Sequence, residues 1–158
     1  MSNLVIRNYR QEDLPEVIKL YSASQIKAPF IFRDKNYFDY FTSYPGVKAD
    51  SIFIATSEDK IEGVAILAII QKRYTMGRII ELWATDATAQ NALLQKAVAY
   101  CCRNDIDAVE VKAPTFLDSG KTFAGWQMMD QREVMMAKPL SLIPLLQALL
   151  DTTASAKI

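Results

Sequence analysis

Apolar positions first alternate and then fall at helical spacing along the opening of the chain. In NLVIRNY (3–9) Leu4 and Ile6 lie on one side of a two-residue repeat, which predicts a short strand. In QEDLPEVIKLYSAS (11–24) Leu14, Val17, Ile18 and Tyr21 recur every three or four residues, with Glu12 and Asp13 ahead of them and Pro15 in the first turn. That pattern predicts a helix, since acidic residues and proline both suit a helix start. The stretch 29–45 is aromatic, carrying Phe30, Phe32, Tyr37, Phe38, Tyr40, Phe41 and Tyr44, and its second half predicts a helix ended by Pro45 and Gly46. Phe38 and Phe41 are its candidate core anchors; the whole segment is alternatively an aromatic pocket.

Two β-branched runs follow, SIFIATS (51–57) and IEGVAILAIIQKRY (61–74), and the polar residues between them signal a hairpin. After TMGR (75–78), read as a connection, the run IIELWAT predicts a strand over 79–84. A helix is expected from about Asp86 to Asn104, capped by Thr85 or Asp86. DAVEVKAP (107–114) alternates again, FLDSGKTFAGW is a short helix or loop, WQMMDQREVMMAKPL is a last hairpin turning near 130–132, and SLIPLLQALL is an apolar helix. The order β α α β β β α β (α) β β α surrounds one crossover, from Ile79 to Val111, with antiparallel hairpins; its length suits a parallel βαβ unit. We expect a single domain over 1–150 and a tail over 151–158.

Composition narrows the chemistry. The 158 residues carry 18 basic and 18 acidic side chains, so no net field favours a nucleic-acid partner. There is no histidine, which excludes histidine bases, Ser-His-Asp or Cys-His arrangements and His-ligated metals. The charged N-terminus has no signal-like apolar segment, and VAILAII (64–70) is too short for a membrane span, so the expected location is cytoplasmic, with no membrane partner and no metal. Cys101 and Cys102 are adjacent, without CxxC spacing; Cys101 shares an apolar helix face with Leu94, Ala97 and Val98 and reads as a core thiol.

The order of elements resembles the GNAT superfamily of N-acetyltransferases along nearly the whole chain. IRNYRQEDLPEVIKLY is similar to that family's opening strand and helix, IEGVAIL to its third strand, and GWQMMDQREVMMAKPL to its closing hairpin. The resemblance implies an α/β (α+β) fold with a mixed, mostly antiparallel central sheet flanked by helices and one parallel βαβ unit. It also implies acetyl-CoA as acyl donor and a small-molecule or peptide amine as acceptor.

The family's Gln/Arg-x-x-Gly-x-Gly/Ala turn wraps pyrophosphate with bare backbone amides at a helix N-terminus. Aligned on Leu93 and Leu94, that motif places Thr85 at the Gln/Arg position and Thr88 and Gln90 at the glycines, so all three depart from it. The helix dipole would remain without the close-approach cradle, and an Asp86 cap would repel an anion. The resemblance makes Trp83, Ala84, Thr85, Thr88, Ala89 and Gln90 the candidate cofactor-binding residues. The amides at 83–85 and 88–90 are the expected donors.

A carboxylate near the family's fourth strand often serves as base, which makes Glu81 the candidate catalytic residue. Regular alternation would put Glu81 on the side of Ile79 and Trp83, either as a buried carboxyl of raised pKa or on a solvated or edge surface. The position of the family's acid tyrosine falls on Lys121, leaving the acid unassigned. In the last helix, Leu142, Ile143, Leu145, Leu146, Leu149 and Leu150 cover more than one stripe, which suggests a homodimer or a neighbouring domain covering 141–150. Two readings follow: an acyl-CoA-dependent N-acetyltransferase, or a catalytically inactive GNAT-like binding or dimerisation module.

Overall fold

The computed structural model describes residues 3–24, 33–112, 127–130 and 135–139. The elements expected over 113–126 and 141–150, the turn near 130–132, the tail and Lys121 lie outside these residues. The described strands form one seven-stranded sheet in the order β1-β2-β3-β4-β5-β7-β6. They are β1 (Val5–Asn8), β2 (Val47–Ser57), β3 (Lys60–Gln71), β4 (Thr75–Ala84), β5 (Ala108–Lys112), β6 (Gln127–Asp130) and β7 (Met135–Pro139). Every neighbouring pair is antiparallel except β4 and β5, which run parallel and are joined by helix α3 (Ala87–Arg103). The expected mixed sheet with one βαβ unit is the sheet observed.

The sheet separates two apolar layers. On one side α3 lays Ala89, Leu93, Leu94, Ala97 and Cys101 over Phe53, Ala65, Leu67, Ile79, Val109 and Val111. On the other, α1 (Leu14–Ser24) and α2 (Lys35–Thr42) lay Val17, Leu20, Tyr21 and Phe38 over Ile52, Ile54, Val64, Ile66 and Trp83. Alternate residues of β2 and β3 thus enter opposite layers, as the pleat of a two-sided buried sheet requires. Cys101 is buried, and burial pushes its thiol pKa up to about 12. Of the aromatic segment, Phe38 is buried as expected, Phe41 is half-buried and Tyr40 is exposed.

The turn between β2 and β3 is at Glu58 and Asp59, both with positive φ (50° and 65°), the geometry of a two-residue hairpin. One expectation needs correction. TMGR is not a connection but the start of β4, and the turn lies earlier, at 72–74. Gly77 sits inside that strand because α3 passes close over it: a Cβ there would lie 2.6 Å from Cys101 Sγ and 3.2 Å from Leu67 Cδ1.

Before α1, Asp13 accepts two hydrogen bonds from Arg7, at 2.6 and 2.7 Å, and one from the Arg10 backbone N–H at 2.7 Å. The Arg7 bonds hold the Asp13 carboxyl below its ordinary pKa despite its burial, and pin β1 to the start of α1. No helix among the described residues is long and apolar enough to cross a membrane.

Candidate functional site

The register of β3 against β4 slips at one point. Ile66 pairs with Glu81 and Leu67 with Ile79, so Ile80 is an extra residue, a β-bulge in β4. Its effect reads directly from the layers: Ile79 packs under α3, whereas Ile80 packs in the α1/α2 layer, and Glu81 and Trp83 face that layer too. The expectation that Glu81 shares a side with Ile79 and Trp83 is therefore half corrected. It shares a side with Trp83 and not with Ile79, because the bulge resets the alternation between them.

The bulge also marks where β4 parts from β5. Parallel pairing runs from Met76 opposite Ala108 to Ile79 opposite Val111 and stops there, while β4 continues to Ala84. Among the described residues, no strand pairs with 80–84 on that side. Glu81 thus stands just beyond the last described β4–β5 pair, and it is buried, at 6% exposure, not on a solvated surface.

Three side chains surround its carboxyl. Tyr37, brought in by α2, donates its hydroxyl to Glu81 Oε2 at 2.5 Å. Arg33, just ahead of the Asp34 cap of α2, places Nε 4.0 Å from Glu81 Oε1. The Arg33 guanidinium lies 4.6 Å from the Trp83 ring centre and 5.5 Å from that of Tyr37, so it is held between two aromatic faces. Burial raises the Glu81 pKa, opposed by the Tyr37 hydrogen bond and the Arg33 charge. Burial, followed by the Glu81 charge, also raises the Tyr37 pKa, so the phenol stays protonated. The constellation is a buried carboxyl of raised pKa with one oxygen fixed by a phenol and the other facing a cation, an arrangement able to accept a proton.

Across the sheet, the start of α3 gathers Thr85, Thr88, Ala89 and Gln90, while Ala84 packs in the α3 layer and Trp83 lies on the opposite side with Glu81. Asp86 is the N-cap, its carboxylate accepting from the Ala89 N–H at 2.8 Å. The amides expected as free donors at Thr85, Ala89 and Gln90 are all engaged. Thr85 N–H donates to Glu62 O, Ala89 N–H to the Asp86 side chain, and Gln90 N–H to Asp86 O. Thr85 also donates its hydroxyl to Glu62 Oε2 at 2.7 Å. Helix geometry leaves the N–H groups of Ala87 and Thr88 pointing out of the turn. In the same stretch of α3 the Gln90 side-chain amide is buried, at 1% exposure, with neither its nitrogen nor its oxygen hydrogen-bonded.

Sequence reasoning found Glu81 and the capped helix but missed the bulge, Arg33 and the pairing of Tyr37. The signal for Arg33 was present: it is the first charge after the apolar run PFIF.

No family model and no curated protein matches the chain. Solved structures do. A GNAT-family acetyltransferase from Staphylococcus aureus superposes with a TM-score of 0.67 over 88% of this chain and 100% of its own, at 14% identity. The chain has the GNAT acetyltransferase fold. The N-acetylglutamate synthase of Neisseria gonorrhoeae, solved with coenzyme A and N-acetyl-glutamate, aligns with a TM-score of 0.66 at 15% identity; 90% of this chain is covered but 36% of that one. The PaiA N-acetyltransferase of Thermoplasma acidophilum, solved with coenzyme A, aligns with a TM-score of 0.59 at 15% identity over 87% of this chain and 99% of its own.

Proposed function

We propose that the chain is an acetyl-CoA-dependent N-acetyltransferase acting on a small-molecule or peptide amine in the cytoplasm, with Glu81 as general base. The observation that carries this reading is the buried Glu81 carboxyl, turned by a bulge into the aromatic layer where β4 leaves β5. Two neighbours of the same fold, solved with coenzyme A, support the choice of acyl donor.

The residues present fit coenzyme A in two ways. Among the described residues no strand pairs with 80–84 of β4 on the β5 side, and that edge would offer alternating donors and acceptors to an amide-bearing chain such as the pantetheine arm. The Ala87 and Thr88 N–H groups would provide a narrow anion site at the N-terminus of α3, where the buried Gln90 amide of the same helix also lacks a hydrogen-bond partner. Acetyl-CoA supplies an activated thioester; the amine nitrogen bonds to its carbonyl carbon and the carbon–sulfur bond breaks. In this reading Glu81 takes the proton from the amine, Tyr37 fixes one of its oxygens, and solvent protonates the departing thiolate.

One observation favours the second reading, a GNAT-like module without acetyl transfer: the Asp86 carboxylate occupies the Ala89 N–H and puts negative charge where the pyrophosphate would sit. Calorimetric titration with acetyl-CoA decides. Saturable binding, with thiol release in the presence of an amine panel, supports the enzyme. No heat and no thermal stabilisation by acetyl-CoA would leave the module, because a ligand specific for the native state must stabilise it.

A further inference from the structure

We infer that the acceptor carries a carboxylate beside its amine, and that Arg33 is the residue that recognises it. The inference rests on the acetyltransferase reading above and deepens it.

Arg33 is 14% exposed at its side chain and Glu81 is 6%, so a guanidinium and a carboxyl share a largely dry layer. Their closest approach is 4.0 Å, too long for a hydrogen bond, and Arg33 Nε is buried with no hydrogen-bond partner. A guanidinium has five donors arranged in a fork, and a buried one is ordinarily saturated by a carboxylate or phosphate. Here two aromatic rings flank the group while its Nε–H stays without a hydrogen-bond partner. It is a preorganised cation with an orphaned donor, set one side chain away from the base.

Charge balance selects the ligand. An ammonium arriving alone would meet Glu81 favourably and Arg33 unfavourably, and would leave the site with an excess positive charge in a layer that excludes water. A zwitterion carrying an amine and a carboxylate a few bonds apart matches both residues. Its amine nitrogen goes to Glu81, its carboxylate to the Arg33 fork, and the site stays neutral. The Trp83 and Tyr37 rings that flank Arg33 add apolar surface for the acceptor's side chain. The acceptor class is therefore a free amino acid, or an amino acid-like amine whose carboxylate is not blocked.

The test uses three matched acceptors for each common amino acid: the acid itself, its amide and its decarboxylated amine. Acetylation is followed by thiol release at saturating acetyl-CoA. The wild-type chain is expected to prefer at least one acid over its amide by about 10²-fold in kcat/KM, the scale of losing one partner of a buried charge pair. In Arg33→Met that ratio should collapse to near one, and in Arg33→Lys, which keeps the charge and loses the fork, it should stay intermediate. Two results would overturn the inference: equal or better use of amides and amines by the wild type, or an equal fall for acids and amides in Arg33→Met, which is what a purely structural role would give. Failure of the acetyltransferase reading looks different, as no acetyl-CoA binding and no thiol release with any acceptor. In that case calorimetry of the same amino acids against wild type and Arg33→Met still decides, and absence of binding to the wild type overturns the inference.

Discussion

Ile80 and Glu81 are consecutive in the chain and lie on the same side of the sheet. In a regular strand they would point to opposite layers, and the Glu81 carboxylate would enter the apolar surface under α3 with nothing to pair it. The bulge instead brings it to Tyr37 and Arg33. One inserted residue thus converts what would be a folding defect into a poised carboxyl, as bulges beside functional sites commonly do.

Burial raises the Glu81 pKa above its ordinary 4.5. The folded state prefers the protonated form, so this stabilisation is fully present below pH about 4.5 and is lost as pH rises through the raised folded value. The melting temperature of Glu81→Gln minus that of the wild type should therefore grow between pH 4 and pH 8. A difference independent of pH would mean that Glu81 has the same pKa folded and unfolded. Wild-type turnover should rise with pH over the same range as the base ionises.

At the start of α3, Asp86→Asn should keep the cap, since an amide oxygen still accepts from the Ala89 N–H, while removing the charge. Binding of coenzyme A should tighten by about 0.5 to 1 kcal/mol at low salt. The gain should shrink as salt is added. Calorimetry at two ionic strengths checks both statements, and an unchanged affinity would place the anion elsewhere.

The β2–β3 turn holds Glu58 and Asp59 at positive φ, which costs most residues free energy; glycine, without a Cβ, avoids that cost, and asparagine reduces it through local hydrogen bonds of its short side chain. Replacing the pair by Asn-Gly should stabilise the chain by about 1 kcal/mol in urea unfolding, with activity retained. No gain would show that the turn is not strained.

Gly77→Ala should destabilise by about 1 to 3 kcal/mol, because the new methyl meets Cys101 Sγ. In a Cys101→Ala background the same substitution should cost less. A double-mutant cycle without coupling would contradict the close passage of α3 over β4.

The hydrophobic pattern made most of the fold legible, since hairpins, the crossover and the Asp86 cap are encoded within a few residues each. Gly77 misled because a glycine shortly after the polar stretch QKRYT looks like part of a turn, and its true cause, the Cys101 side chain, lies far along the chain. The bulge at Ile80 was invisible for a related reason: IIEL reads as uninterrupted strand, and only pairing with β3 reveals the extra residue. Glu81 could be singled out as a lone carboxyl in an apolar strand. Its partners could not, because Arg33 and Tyr37 reach it only through the packing of α2 on the sheet.

The most direct measurement compares Glu81→Gln with the wild type in turnover and in coenzyme A affinity, side by side. Glutamine keeps the size and a hydrogen-bond acceptor for Tyr37 but cannot take a proton, so kcat should fall by about 10²-fold or more while the Kd for coenzyme A stays nearly the same. Turnover equal to wild type with a competent acceptor, or a loss of affinity that accounts for the whole loss of rate, would contradict the assignment of Glu81 as the base.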